Sequence, residues 1–259
     1  MRLLRIGLTL GIIGLFAVPV SAGTEPITCF GRAVTILGTE ERDELYGTEG
    51  TDVISALGAD DSGRGARAQG QPDKKDFICG GSESDGFSGD AGNDWIDGER
   101  GNDGLAGQDG QDHLFGGAGN DYLRAGPGSD FVDGGEGVDT IPLDSDGLTP
   151  RWTSDTFHGG EGGDFVGGTS EGSRYALFGS DSFYGDAGND QIIGTRSQSI
   201  GEAPGAPDLV DGGPGKDTCW VDIDDTVVSC EEVIELPPCT TCEPGGPPRA
   251  AQTPIMRPV

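Results

Sequence analysis

Apolar residues return every nine positions through the middle of the chain. Each follows an aspartate by two residues, as in GGAGNDYLR at 116–124, where Asp121 precedes Leu123. A helix does not set this count, because glycine recurs throughout and each Gly costs a helix about 1 kcal/mol relative to Ala. The apolar residues of the regular block are Ile78, Phe87, Ile96, Leu105, Leu114, Leu123, Val132 and Ile141. The pattern predicts short strands separated by glycine-rich turns.

The aspartates keep the same nine-residue register. Those of the regular block are Asp76, Asp85, Asp94, Asp103, Asp112, Asp121, Asp130 and Asp139. Weaker copies of the unit place others at Asp43, Asp52, Asp61, Asp164, Asp181, Asp190, Asp208 and Asp217. Together the copies extend from about Gly38 to Trp220, which indicates one elongated domain.

The unit predicts a coil. Six glycine-rich residues form a turn, because glycine tolerates positive φ, and three residues form a strand whose central side chain points inward. Two units complete one coil, and coils stack ~4.8 Å apart as parallel strands around a thin apolar core. We therefore predict an all-β fold, a parallel β-roll. Eighteen residues separate stacked neighbours, so Asp76, Asp94, Asp112 and Asp130 line one edge, and Asp85, Asp103, Asp121 and Asp139 line the other.

The unit matches G-G-x-G-x-D-x-U-x, with U a large apolar residue, and so resembles the nonapeptide of RTX (haemolysin-type) calcium-binding proteins. The chain also resembles secreted bacterial proteins built of little besides this repeat, including TCFG at 28–31 and SCEEV at 229–233. The resemblance implies calcium ions between consecutive turns on each edge, three per edge in the regular block. Turn carbonyls would complete the ligand set, for example those of Gly116, Gly117, Gly119, Gly134, Gly135 and Gly137.

The charge balance agrees with a cation as ligand. The chain has 45 Asp and Glu against 16 Lys and Arg, a formal net charge of −29. This charge argues against nucleic acid or an anionic membrane as partner. Carboxylates and carbonyls suit Ca²⁺, whereas Mg²⁺ requires a smaller octahedron and Zn²⁺ favours imidazole or thiolate.

A disordered Gly/Asp-rich linker is the alternative interpretation of this composition. The consistent apolar positions argue against it for the calcium-bound chain. For the calcium-free chain we expect disorder, because the ligand geometry does not exist before folding and binding is then coupled to folding.

The N-terminus has the pattern of a secretory signal peptide, with Arg2 and Arg5, an apolar run and cleavage near Ala22. A membrane anchor is the alternative, but the run is shorter than the ~20 residues that a span needs. Loss of the leader would change the net charge from −29 to −31. We predict a secreted, extracellular, monomeric protein. In that compartment its cysteines form disulfides.

Six cysteines allow 15 disulfide connectivities. We favour Cys29 with Cys79, Cys219 with Cys230 and Cys239 with Cys242, although the sequence alone leaves the other connectivities open.

The predicted organisation follows from these patterns. It comprises a signal peptide 1–22, an N-terminal cap 23–37, a roll 38–142 with a basic loop 62–75, an irregular insertion 143–158, further repeats 159–220 interrupted at 194–203, a cap strand 221–235, and a Pro-rich disordered tail 236–259.

Catalytic motifs are poorly supported. The two histidines, His113 and His158, cannot form H-E-x-x-H. GTSEG at 168–172 matches G-x-S-x-G only formally, because that motif requires a strand-turn-helix setting. We predict a structural or binding module rather than an enzyme. The alternative is a calcium-dependent extracellular hydrolase or lyase acting on polysaccharide or ester.

The register also sorts the outward residues. One face receives Phe77, Trp95, His113 and Phe131, with Phe115 beside them. We expect this aromatic ladder to be covered by a glycan, by a protein partner, or by the chain's own segment containing Trp152 and Phe157. Stacking that only stabilises adjacent coils is the simpler alternative.

Overall fold

The computed structural model describes residues 26–65, 75–142, 154–167, 180–194, 207–221 and 225–235, together with the backbone of 255–256. Within these residues all regular structure is β. The strands are β1 (Thr28–Cys29), β2 (Arg32–Ala33), β3 (Ile36–Leu37), β4 (Glu44–Tyr46), β5 (Val53–Gly58), β6 (Ser62–Arg64), β7 (Phe77–Ser82), β8 (Gly86–Ala91), β9 (Trp95–Arg100), β10 (Gly104–Asp109), β11 (His113–Ala118), β12 (Tyr122–Arg124), β13 (Phe131–Gly137), β14 (Thr140–Pro142), β15 (Thr156–Gly162), β16 (Phe165–Gly167), β17 (Ser182–Gly188), β18 (Gln191–Ile193), β19 (Leu209–Asp211), β20 (Thr218–Val221), β21 (Thr226–Val228), β22 (Glu232–Glu235) and β23 (Ile255–Met256).

Consecutive strands alternate between two long sheets. Sheet one contains the odd-numbered strands from β3 to β21, and sheet two contains the even-numbered strands from β4 to β22, followed by β23. Neighbours within a sheet are parallel and two strands apart in sequence, except that β23 pairs antiparallel with β22. Each coil therefore contributes one strand to each sheet. The predicted all-β parallel β-roll is confirmed.

Several strands are longer than the predicted three residues. His113–Ala118 pairs with β13 through Phe115 and again through Gly117 and Ala118. Backbone hydrogen bonds thus continue into the first three residues of the glycine-rich part of the unit. The turn proper is confined to the three residues that end at the aspartate.

The core is a single line of apolar side chains from each sheet. Fully buried members include Ile78, Ile96, Leu114 and Val132 from sheet one and Leu105, Leu123, Ile141 and Val166 from sheet two. The line continues through Phe157, Phe183 and Val210 to Cys219. One large side chain per nine residues is a small apolar interior, so other interactions must contribute much of the stability.

The roll continues through the flanking repeats. The register jumps by 24 residues between Asp52 and Asp76, and by 25 between Asp130 and Asp155, while the strands stay paired. The extra residues enter between a sheet-two strand and the next sheet-one strand, at 66–74, 143–153, 168–179 and 195–206. These four insertions therefore attach to the same edge of the roll.

The two ends are fixed by disulfides. Cys29 in the β1–β2 hairpin bonds Cys79 in β7, and Cys219 in β20 bonds Cys230 after β21. Both pairs were predicted and are confirmed, whereas Cys239 and Cys242 lie outside the described residues.

The remaining predictions about the chain ends are only partly covered by the structure. The predicted signal peptide lies outside the described residues, as does most of the predicted Pro-rich tail, of which Ile255–Met256 pairs with β22. No helix in the described part of the chain could span a membrane.

The thin core makes each of its side chains important. Leu114→Ala should lower the free energy of unfolding in saturating calcium by about 2–5 kcal/mol, because it leaves a cavity in a fully buried position. Chemical denaturation followed by circular dichroism measures this change. The control is Tyr122→Ala, at a side chain 50% exposed on sheet two, which should shift stability by about 0.5 kcal/mol or less. Equal losses for both variants would contradict the described core.

Candidate metal centre

Two continuous rows of carboxylates follow the edges of the roll. We call them the Asp76 edge and the Asp85 edge. The Asp76 edge consists of Asp52, Asp76, Asp94, Asp112, Asp130, Asp155, Asp181, Asp208 and Asp225. The Asp85 edge consists of Asp43, Asp61, Asp85, Asp103, Asp121, Asp139, Asp164, Asp190, Asp217 and Glu231. Every predicted ligand aspartate lies in one of these rows.

Within each row, one carboxylate oxygen of an aspartate is hydrogen-bonded to the backbone of the preceding coil. The backbone N–H of Asp85 donates to Oδ1 of Asp103 at 2.8 Å, and the N–H of Asp103 donates to Oδ1 of Asp121 at the same distance. The same bond repeats along both edges. The aspartate side chains are therefore held in fixed positions by the backbone of the preceding coil.

The other oxygen is buried and unsatisfied at many positions. Oδ2 has no hydrogen-bond partner among the described residues at Asp61, Asp85, Asp94, Asp103, Asp112, Asp121, Asp139, Asp164, Asp190 and Asp217. A buried acceptor without a partner costs about 1–3 kcal/mol, and more when it is charged. A repeated cost of this kind indicates that a positively charged ligand belongs beside these atoms.

The first glycine of each unit leaves the space that such a ligand needs. A Cβ on Gly80 would lie 2.6 Å from Oδ2 of Asp85 and 2.8 Å from the carbonyl oxygen of Gly98, in the next coil. The same pair of oxygens, one carboxylate and one carbonyl, faces Gly98, Gly116, Gly134, Gly159, Gly185 and Gly212. A side chain at any of these glycines would therefore occupy the space between the two oxygens.

The fourth residue of the unit supplies a second carbonyl. A Cβ on Gly101 would lie 2.7 Å from Oδ1 of Asp103 and against the carbonyl of Glu83, in the preceding coil. Gly128, Gly188 and Gly215 repeat this arrangement with Asp130, Asp190 and Asp217. Carbonyls from two turns therefore approach each carboxylate from different sides.

The carbonyl ligands predicted from the sequence fall into groups according to their position in the unit. The carbonyls of Gly116 and Gly134 lie near Oδ2 of the preceding aspartate on the Asp85 edge, and those of Gly119 and Gly137 occupy the fourth position. Those of Gly117 and Gly135 instead lie against the second-position glycine of the next coil.

In the first turn of each edge, a threonine satisfies the second carboxylate oxygen of the aspartate. Oδ2 of Asp43 accepts hydrogen bonds from the backbone and hydroxyl of Thr39, at 2.6 and 2.9 Å. Thr48 satisfies Oδ2 of Asp52 identically. A threonine thus replaces an external ligand at these two predicted site residues.

Sequence reasoning missed three members of the rows. Asp155 lies inside the stretch predicted as irregular, and Asp225 and Glu231 lie in the predicted cap strand. Each precedes an apolar residue by two positions, at Phe157, Val227 and Val233. The two-residue spacing between acidic and apolar residue could have identified them. The sequences before them lack the glycines of the repeat, so they did not match its pattern.

Burial controls the acidity of the rows. It raises the pKa of Asp112 to about 8, that of Asp94, Asp103 and Asp164 to about 7, and that of Asp85, Asp139 and Asp190 to about 6. Hydrogen bonds from the preceding aspartate N–H oppose the shift, and neighbouring carboxylates of the same edge increase it. Without a cation, Asp112 would therefore be largely protonated at neutral pH, and Asp94, Asp103 and Asp164 would be partly protonated.

The donor set fits calcium. Carboxylate and carbonyl oxygens converge between stacked turns, in the flexible all-oxygen arrangement that Ca²⁺ accepts. No three His, Cys, Asp or Glu side chains of the described segments come together as a metal site.

The aromatic ladder is covered in part by the chain itself. Phe30, from the hairpin, contacts Phe77, Trp95 and Phe115, with ring centroids 6.1, 5.4 and 6.1 Å apart. The expected cover by Phe157 is wrong, because that ring is buried in the core against Phe183. Trp152 lies outside the described residues.

Comparison with known families agrees with this geometry. The model of the RTX calcium-binding nonapeptide repeat matches in four copies, at residues 35–66, 80–114, 106–141 and 175–196. No curated protein matches the chain significantly. The chain therefore carries RTX calcium-binding nonapeptide repeats, and these support a calcium-binding β-roll.

Filling the space at the first glycine should weaken calcium binding. We expect Gly98→Ala to raise the calcium concentration at the folding midpoint on the order of tenfold, because the methyl group would displace Oδ2 of Asp103 or the carbonyl of Gly116. The matched control is Gly104→Ala in the same coil, where the nearest atom to a new Cβ is 3.9 Å away. Calcium titrations followed by circular dichroism measure both. A midpoint unchanged by Gly98→Ala would contradict the described cradle.

The raised pKa values predict that acid stabilises the folded metal-free chain and weakens its binding of calcium. The folded pKa values lie above the ordinary value of 3.8, so protons favour the folded metal-free chain. Its stability should rise as the pH falls from about 8 through about 6, while calcium affinity falls, because ions and protons compete. Sheet content in chelator at pH 8 and pH 5, with calcium midpoints at pH 8 and pH 6, tests both trends. Sheet content and calcium midpoints that do not change with pH would contradict protonation of the aspartate rows.

Proposed function

We propose that this protein is exported and folds outside the cell when calcium fills the edges of its roll. Its function is then that of an extracellular structural or binding module. The repeat family and the roll define it as calcium-binding, and the N-terminal sequence pattern supports export. Two disulfides support an oxidising compartment.

The observation that carries this proposal is the repetition of unsatisfied buried carboxylate oxygens. They recur from Asp61 to Asp217. A carbonyl of the next coil lies beside this oxygen at Asp85, Asp103, Asp112, Asp121, Asp139, Asp164, Asp190 and Asp217. A folded chain that lacked cations would have to protonate these groups or tolerate their repulsion. Calcium removes both costs and supplies the folding energy that the thin core does not provide.

The proposed ligands are the row aspartates with the first-position and fourth-position carbonyls. The Asp85 edge keeps its glycine-rich turns from Asp85 through Asp217, whereas insertions interrupt the Asp76 edge before Asp76, Asp155, Asp181 and Asp208. We therefore infer an unequal distribution of ions. The Asp85 edge binds calcium ions in an uninterrupted row, whereas the Asp76 edge binds its ions around Asp94, Asp112 and Asp130.

A non-catalytic role is part of the proposal. Repeats of this family are generally structural and calcium-binding. The formal G-x-S-x-G match at 168–172 lies outside the described residues. The row aspartates are held by backbone hydrogen bonds in a repeated pattern that serves coil stacking.

Calcium should fold the chain and magnesium should not. Adding Ca²⁺ to the chelated mature chain at pH 8 should produce a β-sheet spectrum, and equal Mg²⁺ should leave it largely unchanged, because Mg²⁺ retains its waters. Asp103→Asn should raise the calcium midpoint on the order of tenfold, because it removes one negative ligand from the Asp85 edge.

The matched control is Asp109→Asn, which removes the same charge from an exposed side chain. It should move the midpoint by less than about twofold, as expected for long-range, screened electrostatics. Equal shifts for the two variants would show that calcium responds to net charge rather than to the rows. Folding by magnesium at equal concentration would also contradict the proposed sites.

A further inference from the structure

The outer face of sheet one alternates aromatic rings with carboxylates. One row of outward residues contains Phe77, Trp95, His113 and Phe131, and the other contains Cys79, Asp97, Phe115, Asp133, His158 and Tyr184. In the second row Phe115 pairs with Asp97 on one side and Asp133 on the other. Calcium binding at the edges does not require this pattern.

The chain places two of its own cations on the N-terminal half of this face. The guanidinium of Arg32 lies 4.0 Å from the ring centroid of Phe77, and Nζ of Lys75 lies 4.7 Å from that of Trp95. Such contacts stabilise a cation by about 0.5–1 kcal/mol at exposed sites. This half is closed by the hairpin, which the disulfide of Cys29 holds in place.

The same arrangement of rings continues beyond the hairpin. Phe131 contacts His158 at 5.6 Å, and His158 stacks on Tyr184 at 4.5 Å with the planes 7° apart. Nδ1 of His158 lies 2.8 Å from Oδ2 of Asp186. These rings are half-buried, so each keeps an accessible part.

The carboxylates of this face are suited to receive a cation. Asp133 is the strand partner of His158, and Oδ2 of Asp186 lies 2.8 Å from Nδ1 of the same ring. Both carboxylates would attract a cation placed beside this ring. Asp186 is 40% exposed and can form an ion pair from the solvent side.

The edge next to this face carries the four insertions. Each enters immediately before a strand of sheet one, and insertions of repeat proteins often surround the binding face. The net charge of −29 adds long-range attraction for a basic molecule. Charge complementarity therefore favours a basic occupant over a neutral or acidic one.

We propose that the face formed by Phe131, Asp133, His158, Tyr184 and Asp186 binds lysine or arginine side chains of a basic segment in a partner protein. The rings supply cation–π contacts, as the neighbouring rings do for Arg32 and Lys75, and Asp133 and Asp186 supply ion pairs. This inference goes beyond calcium binding and requires only that the roll be folded.

A basic peptide of simple composition tests the proposal. The probe is fluorescein-labelled acetyl-(Gly-Lys)₄-amide, titrated with the calcium-saturated full chain at ~0.15 M salt, where long-range attraction is screened. Fluorescence anisotropy measures Kd. Tyr184→Leu keeps an apolar side chain but removes the ring, and Asp133→Asn removes one charge. Each should weaken binding about three- to fivefold.

Matched controls separate this face from the general charge of the chain. Tyr122→Leu removes an exposed ring from sheet two, and Glu136→Gln removes an exposed charge near the C-terminal end of β13, outside the five proposed contact residues. Both should leave Kd within about 1.5-fold of the parent value, since neither lies on the face. Equal weakening by test and control variants would overturn the proposal, as would tighter binding of a neutral oligosaccharide such as cellohexaose.

Circular dichroism of each sample distinguishes this inference from the proposed function. A chain that folds in calcium but does not bind the peptide refutes the cationic ligand and leaves calcium-coupled folding intact. A chain that calcium does not fold refutes the proposed function. Weakening confined to Tyr184→Leu and Asp133→Asn, with both variants folded, supports the binding face.

Discussion

The whole roll depends on holding carboxylates one coil apart along two edges. At a spacing of ~4.8 Å and an effective dielectric constant of ~20, two unit charges repel by about 3–4 kcal/mol. Each row repeats this contact along its length, and only one large apolar residue per nine enters the core. The charge must therefore be cancelled by cations or by protons. Burial raises the pKa of Asp112 to about 8, which shows how strongly the metal-free site favours the proton.

Other features of the molecule follow from this constraint. Most units begin with glycine. A side chain at these glycines would occupy the space shared by a carboxylate and a carbonyl. At the head of each row, Thr39 and Thr48 satisfy the carboxylate internally. The disulfides lie at the ends of the stack, where Cys29–Cys79 fixes the hairpin and Cys219–Cys230 closes the core. Insertions collect on one edge, so the other retains uninterrupted turns.

The period of the sequence was sufficient to predict the coil, the two sheets, the inward residues and the alignment of each row. Those properties depend on local spacing alone. The hairpin over the ladder could not be predicted, because Phe30 meets Phe115 through contacts between residues distant in sequence. Asp155 was missed because its turn lacks glycine, and Phe157 was misplaced because an insertion concealed its register. That all four insertions attach to one edge appears only when the strands are assigned to sheets.

Small-angle X-ray scattering of the mature chain at pH 8, in saturating calcium and then in excess chelator, tests the central claim most directly. The account predicts a compact, elongated particle in calcium and expansion in chelator toward a radius of gyration of about 50 Å, the range of an unfolded chain of this length. Identical scattering curves under the two conditions would show that the stacked carboxylates need no cation, and would contradict the account.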